Sequence, residues 1–304
     1  MRETAILLLI FNRLETTKKV FSEIRKVKPK KLFIAADGPR EEKREEKRKC
    51  EEVRKITENI NWQCEVKRLY RNKNLGCKRA VSSAIDWFFE NVDSGIILED
   101  DCLPNASFFR FCQEMLRKYK EENKIFHIGG DNFQPLRRQH KNSYYFSKYT
   151  HIWGWATWRR AWKYYDVNMK SWPEIKRKGS LNKFWKFYWE KQYWKTIFDA
   201  TYSGKIDTWD YQWLYTAWVN NALSIIPGVN LVRNIGFRSD STHTSGKSKS
   251  FEIKTREMEF PLKHPKSLIE NLKGDNYTTR KNFQAKPITV IALKTKYFLD
   301  NFYE

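Results

Sequence analysis

The chain has 304 residues, with 58 Lys or Arg against 36 Asp or Glu, a formal charge of +22 and a 40% share of hydrophobic residues. That length accommodates one large domain or two small ones around a sizeable core, and no apolar run approaches the ~20 residues needed to cross a bilayer. The five cysteines, Cys50, Cys64, Cys77, Cys102 and Cys112, are odd in number and form no CxxC pair, so neither a disulfide framework nor a zinc site is indicated and a reducing cytoplasm is expected.

Ala5 to Phe11 is the first apolar run. It is short for a signal peptide and passes into Asn12-Arg13 without a small-residue cleavage site, so it reads as a buried strand. Apolar runs at 32–36, 64–70 and 95–98 follow at intervals of about thirty residues with helical periodicity between them, which predicts βαβ units feeding a mostly parallel sheet. The first helix places Val20, Phe21, Ile24 and Val27 on one face, and the third does the same with Val81, Ala84, Ile85 and Phe88. Between them, the alternating charges from Arg40 to Lys55 support a solvated helix through i,i+4 pairs. Pro104-Asn105 opens a helix with Phe108, Cys112, Met115 and Tyr119 inward, and Ile125 to Gly130 reads as a fifth strand.

Beyond Gly130 the regular alternation stops. Trp153-Gly154-Trp155 predicts a helix through Trp162, residues 181–202 and 210–221 read as helices, and Leu223 to Ile226 is a short apolar run. Arg238 to Lys249 has the composition of a mobile loop, and from Phe251 onward a polar, basic tail docks on the body. The excess positive charge is concentrated here: between Leu136 and Lys205 sixteen Lys or Arg face four acids, and eleven of the thirteen Trp lie between Trp153 and Trp218. Basic and aromatic residues so interleaved suit nucleic acid, an anionic membrane surface or a sugar-phosphate acceptor, and composition does not choose among them.

Four places at the expected carboxyl edge of the sheet carry chemistry. Glu99-Asp100-Asp101 directly follows the strand Gly95 to Leu98, and three adjacent carboxylates stay ionised together most easily around a divalent cation carrying a diphosphate, at the edge where open α/β sheets bind ligands. A solvated turn is the plainer alternative. Arg13, after the first strand, can contact a phosphate, lock a neighbouring carboxylate, or be a solvated first-turn residue. Asp37-Gly38 is a common turn dipeptide, and an Asp beyond a buried strand can also bond a base or ribose. Asp210, in Thr208-Trp209-Asp210-Tyr211-Gln212-Trp213, is either a helix N-terminal acid favoured by the dipole or a poorly solvated base for a sugar hydroxyl. The five histidines, His127, His140, His151, His243 and His264, lack metal-ligand spacing and read as structural, with His243 set apart by its place in the mobile loop.

The order FNR, ADG, ILEDD followed by FF, a GW segment, WDYQW, and IPGVNLVRNIGF before a Ser/Thr/His loop resembles nucleotide-sugar glycosyltransferases of the GT-A fold, in particular eukaryotic α-1,3-mannosyl-glycoprotein 2-β-N-acetylglucosaminyltransferase and bacterial family-2-like sugar transferases of capsule and lipopolysaccharide loci. The likeness runs from about Ala5 to His243. It implies an α/β, Rossmann-like GT-A architecture with a mostly parallel central sheet flanked by helices and a helical, aromatic-rich acceptor region. Residues 1–130 would be the nucleotide-sugar half, 131–249 the acceptor half with a lid, and 250–304 a basic tail. Carried over residue by residue, Arg13 and Asp37 line the nucleotide pocket, Asp100 faces the ribose, Glu99 the donor sugar, and Asp101 the metal. Asp210 becomes the base of an inverting transfer, and Ser241 to His243 close over the phosphates. Apart from the resemblance, stacking by Trp153, Trp155 or Trp209 would suit a sugar acceptor, while most of these tryptophans are expected in the core.

The resulting expectation is a transferase dependent on Mn²⁺ or Mg²⁺. It would move a sugar, with a UDP-sugar favoured, to a glycan or lipid-linked saccharide, in the cytoplasm or peripherally at the inner membrane face. A sugar-1-phosphate nucleotidylyltransferase shares the sheet and metal logic but usually carries a Gly-rich loop after the first strand, which this chain lacks. A nucleic-acid-binding protein would account for the charge but not for the acidic triplet together with Asp210, so no nucleic-acid partner is expected.

Overall fold

The computed structural model describes residues 3–135, 141–236 and 253–298. The first four strands are β1 (Ala5–Ile10), β2 (Lys31–Ala36), β3 (Glu65–Tyr70) and β4 (Ser94–Glu99), joined by α1 (Leu14–Val27), α2 (Glu46–Ile56) and α3 (Gly76–Asn91). They pair in parallel, as right-handed βαβ connections require. A short β5 (Cys102–Pro104) leads into α4 (Ala106–Lys118), capped by the Asn105 side chain, which accepts from the Phe108 amide.

The sheet then continues through β6 (Ile125–Gly129), β7 (Tyr144–Ser147), β8 (Trp155–Trp158) and β9 (Leu223–Pro227). Its full order is β3-β2-β1-β4-β8-β6-β9-β7, with β8 and β7 antiparallel to their neighbours. Between β8 and β9 lie α5 (Arg159–Trp162), α6 (Trp172–Lys178), α7 (Tyr188–Tyr202) and α8 (Asp210–Val219). After β9 come β10 (Val232–Asn234), α9 (Leu272–Tyr277) and α10 (Pro287–Phe298).

The period of two in the strands divides the core. Ile6, Leu8, Ile34 and Leu98 face α1, α2 and α4, whereas Leu7, Leu9, Phe33 and Ile97 face α3, α5 and α8. A third cluster, around Trp172, Trp194, Phe198 and Trp218, lies within the α6–α8 and α10 layer. Most of the tryptophans that make the middle segment unusual are therefore spent on packing.

Two expectations are corrected. Residues 155–158 form not a helix but an antiparallel strand between β4 and β6: Trp155 packs on one face of the sheet while Ala156 and Trp158 pack on the other, and the spacing of Trp155, Trp158 and Trp162 only mimics a helical period. Gly154 makes the entry, at φ +64, with its carbonyl accepting from the Gly130 amide. The charged run from Arg40 to Lys55 is not wholly solvated either. Glu46 is buried, and its carboxylate accepts from Asn12, from the Arg40 amide and from the Arg40 guanidinium. Burial pushes the Glu46 carboxyl up, but the Arg40 bonds more than offset this and leave it below the usual value.

The residues from 253 onward hydrogen-bond to the body, Arg256 N–H to the Asn230 carbonyl and Asn271 N–H to that of Phe146. Buried Asp275 accepts from the Ser147 hydroxyl at 2.5 Å and the Lys148 amide at 3.0 Å. Among the described residues no helix is long and apolar enough to cross a membrane.

Candidate functional site

Because β1, β2 and β4 are parallel, the turns that follow them gather at one edge. β4 ends in Glu99, so the acidic triplet stands beside the start of α1. Arg13, the residue preceding α1, turns its guanidinium onto this triplet, 2.5 Å from Oδ2 of Asp101 and 3.9 Å from Oδ1 of Asp100. Asp100 is further tied to the end of β1 by the Phe11 amide at 3.1 Å. Of the three alternatives for Arg13, its position is that of a lock on neighbouring carboxylates.

The far side of the triplet is closed by the chain after β10. β10 pairs with β5, and the Ile235 amide donates to the Asp101 carbonyl at 2.8 Å. A Cβ on Gly236 would lie only 2.2 Å from Oδ2 of Asp101 and 2.9 Å from the Arg13 guanidinium. Glycine at 236 is therefore what lets the backbone pass the ion pair.

The remaining carboxylates converge from other elements. Asp210 begins α8 and accepts from the Thr208 hydroxyl. Its charge reaches Glu99, whose carboxyl is pushed up to about 8 by burial first, then by Asp101, Asp100 and Asp210, against the lowering effect of Arg13. Asp100 rises to about 7 through burial and Asp101, opposed by Arg13 and the Phe11 amide. Asp207 accepts from the Lys78 amide in the first turn of α3. Cys77, near the start of α3, packs against the core, and burial raises its thiol pKa most, followed by the charges of Glu99, Asp210, Asp207 and Asp37.

Asp37 has a defined structural task. Its carboxylate accepts from the amides of Gly38 and Leu75 and from the Asn74 side chain, fastening the end of β2 to the turn that enters α3. Burial raises its pKa even so, and the amide donors work against that rise. A base-binding role would require these bonds to be exchanged.

Trp155 and Trp209 are removed from the acceptor set. They are 0% and 2% exposed and stack on each other at 5.4 Å, so their faces are occupied in the core. Trp153 is half-buried, its amide donating to Oδ1 of Asp131 and its ring edge-on to Phe133. Ser241 and His243 lie outside the described residues. His127 is a core residue: one ring nitrogen accepts from the Trp213 indole, the other meets the His151 carbonyl, and burial lowers its pKa to about 3. Asp131 and His151, 3.2 Å apart beyond the end of β6, and the acids whose charges reach Cys77 are not marked in the sequence. Their partners are remote in sequence, and no motif marks them.

Among the described residues no three His, Cys, Asp or Glu side chains are arranged to hold a metal by themselves. The donors that are present, hard carboxylate oxygens crowded enough to raise one another's pKa, fit a Mg²⁺ or Mn²⁺ held by one or two carboxylates and completed by substrate phosphates.

No protein-family model matches the sequence, and no curated protein does. Solved structures with a related fold include the 4-diphosphocytidyl-2C-methyl-D-erythritol synthase of Anaerococcus prevotii DSM 20548, at 8% identity and a TM-score of 0.31, covering 52% of this chain and 72% of that one. HddC from Yersinia pseudotuberculosis aligns at 10% identity and a TM-score of 0.32, over 52% and 77% of the two chains. A UDP-glucose pyrophosphorylase solved with UDP-glucose gives 11% identity and 0.28, over 47% and 62%. At TM-scores near 0.3 these partial likenesses carry no conclusion about this chain.

Proposed function

We propose that the protein is a transferase of nucleotide-linked groups whose carboxyl edge binds a nucleoside-diphosphate sugar, a UDP-sugar by preference, together with Mn²⁺ or Mg²⁺. The convergence of Arg13, Glu99, Asp100, Asp101 and Asp210 on one edge carries this reading. The cation, when bound, offsets the charge of the diphosphate. In this reading Arg13 fixes the Asp101 carboxylate in place, Asp100 lies toward the ribose, Glu99 toward the donor sugar, and Asp37 toward the base.

For the chemistry itself we favour inverting glycosyl transfer to a hydroxyl of a glycan or lipid-linked saccharide. Asp210 takes the hydroxyl proton as that oxygen bonds to the anomeric carbon, and the bond from that carbon to the diphosphate oxygen breaks on the opposite face. Asp210 suits the role because it stands close to Glu99 and belongs to a different element from the donor-side carboxylates.

Sugar-1-phosphate nucleotidylyl transfer is the second reading. It uses the same edge and cation, and it agrees at least as well with the names of the similar folds. Against it stands the turn Phe11-Asn12-Arg13-Leu14 after β1, which contains no glycine to cradle a triphosphate.

Phosphorus NMR of the protein with UDP-sugars and Mn²⁺ separates the two. Release of UDP in the presence of saccharide acceptors supports glycosyl transfer. Conversion of UDP-sugar and added pyrophosphate to UTP and sugar-1-phosphate supports the second reading, and turnover of neither kind across a full donor panel contradicts both.

A further inference from the structure

The outer surface of α7 and α10 has a composition of its own. Tyr188 is 65% exposed, Ile288 75% and Ile291 60%, and Phe187 and Trp189 are also exposed. The two helices pack against each other. The Arg280 guanidinium covers the Phe187 ring at 4.7 Å, Phe283 packs 4.7 Å from Trp194, and Lys205 beyond α7 donates to the Tyr297 carbonyl at the end of α10. Residues 280–298 therefore lie alongside 187–205, and their outward side chains belong to neighbouring parts of one surface.

Its charge is mainly of one sign. Residues 182–202 contain four Lys and residues 276–298 five Lys or Arg, against two acids, Glu190 and Asp199. Glu190 is buried and bound by Lys148 at 2.7 Å, and Asp199 is paired with Lys176 at 2.7 Å. Within α10 the sides differ: Val290 is buried against the body, Ile288 and Ile291 point outward, and Lys286, Lys294 and Lys296 are exposed around them.

An outward apolar stripe set among lysines, with Tyr and Trp close by and both acids of these helices paired with lysines, matches the chemistry of a helix lying in a lipid interface. The isoleucines enter the headgroup boundary, the aromatic rings sit at its level, and the flexible lysines reach the phosphates. A second copy of the chain docked by two-fold symmetry would bring lysine against lysine. RNA would make no use of the isoleucines, since bases stack on aromatic rings. We propose that the α7–α10 surface docks the protein on an anionic lipid bilayer. This does not depend on the reaction catalysed at the carboxyl edge.

The test is co-sedimentation of the full chain with sucrose-loaded vesicles of phosphatidylcholine, with and without about one-third phosphatidylglycerol. The wild type binds the anionic vesicles and not the neutral ones. The double variant Ile288→Ser, Ile291→Ser keeps the charge of +22, so its expected loss of roughly tenfold or more in partition reports the apolar stripe and not charge alone. Tyr188→Ser lowers partition by a smaller factor. All three side chains are exposed, and unchanged thermal midpoints confirm that the variants fold. Equal partition of the double variant and the wild type overturns the proposal, as does absence of vesicle binding by the wild type or equal binding to neutral vesicles. Dissociation of a dimer by the double variant, or its loss of binding to single-stranded RNA, overturns it too if vesicle partition stays the same.

Discussion

Two groups of carboxylates in this protein are treated in opposite ways. Glu190, on the buried side of the first turn of α7, is matched by several donors: Lys148 lies at 2.7 Å, the Tyr149 hydroxyl at 2.8 Å and the Lys186 amide at 2.9 Å. At the carboxyl edge the Arg13 guanidinium meets Asp100 and Asp101, and burial with the charges of neighbouring carboxylates holds Glu99 and Asp100 well above the ordinary carboxylate range. A fully matched buried charge stabilises one arrangement of the chain, whereas a group short of positive charge has a use for a cation. The proposed cation site rests on this contrast.

The largest effect that would break this contrast is expected at Asp210. Asparagine keeps the shape and can still serve a helix N-terminus, so if Asp210 only starts α8, the variant transfers sugar nearly as well as wild type. If it is the base, Asp210→Asn lowers turnover ~10²–10⁴-fold with donor affinity almost intact. A donor titration beside an acceptor-dependent assay on the same variant decides, and turnover within a few-fold of wild type removes Asp210 from the mechanism.

The matched group should respond to truncation as structure. Glu190→Ala leaves Lys148 buried without its counter-charge and is expected to cost about 3–5 kcal/mol in urea unfolding. A loss under 1 kcal/mol would show that the network is not stabilising in the way its distances suggest. Glu99→Gln, by contrast, relieves repulsion and should raise the thermal midpoint of the metal-free protein.

A third check uses pH. Unfolded, Glu99 and Asp100 ionise near the ordinary ~4; folded and metal-free, they keep their protons up to about 8 and about 7. Between these values the native state binds more protons than the unfolded state, so these two groups make the protein less stable as pH rises from about 5 to 8. Asp100→Asn should therefore gain stability relative to wild type across that range, and a constant difference between the two would contradict the raised values. The smallest of these effects concerns Glu46, where Glu46→Gln should cost about 1–3 kcal/mol by weakening the Arg40 bonds.

Much of the first half was legible from sequence because strand and helix periods alternate there with little interference. The run ending in Leu98 placed Glu99 to Asp101 at a strand end, and the structure has β4 stop at Glu99. Residues 155–158 were misread because Trp155, Trp158 and Trp162 fit a helical spacing, whereas only pairing with β4 and β6 makes them a strand. The count of tryptophans said nothing about which were exposed, and Trp155 and Trp209 proved to be each other's partners. Arg13 could be picked out, but not the direction of its guanidinium. Glu46, Cys77 and the Asp131–His151 pair were illegible because their partners come from other elements of the fold.

The most direct measurement is a calorimetric titration of Mn²⁺ and UDP into the wild type and into Asp101→Ala. UDP should bind the wild type only when Mn²⁺ is present, and the folded variant should lose this metal-dependent binding by a factor of about 100 or more, since the cation takes one or two protein carboxylates and the rest of its ligands from phosphate. Metal-dependent UDP binding by Asp101→Ala equal to that of wild type would contradict the assignment of the carboxyl edge as a cation and diphosphate site.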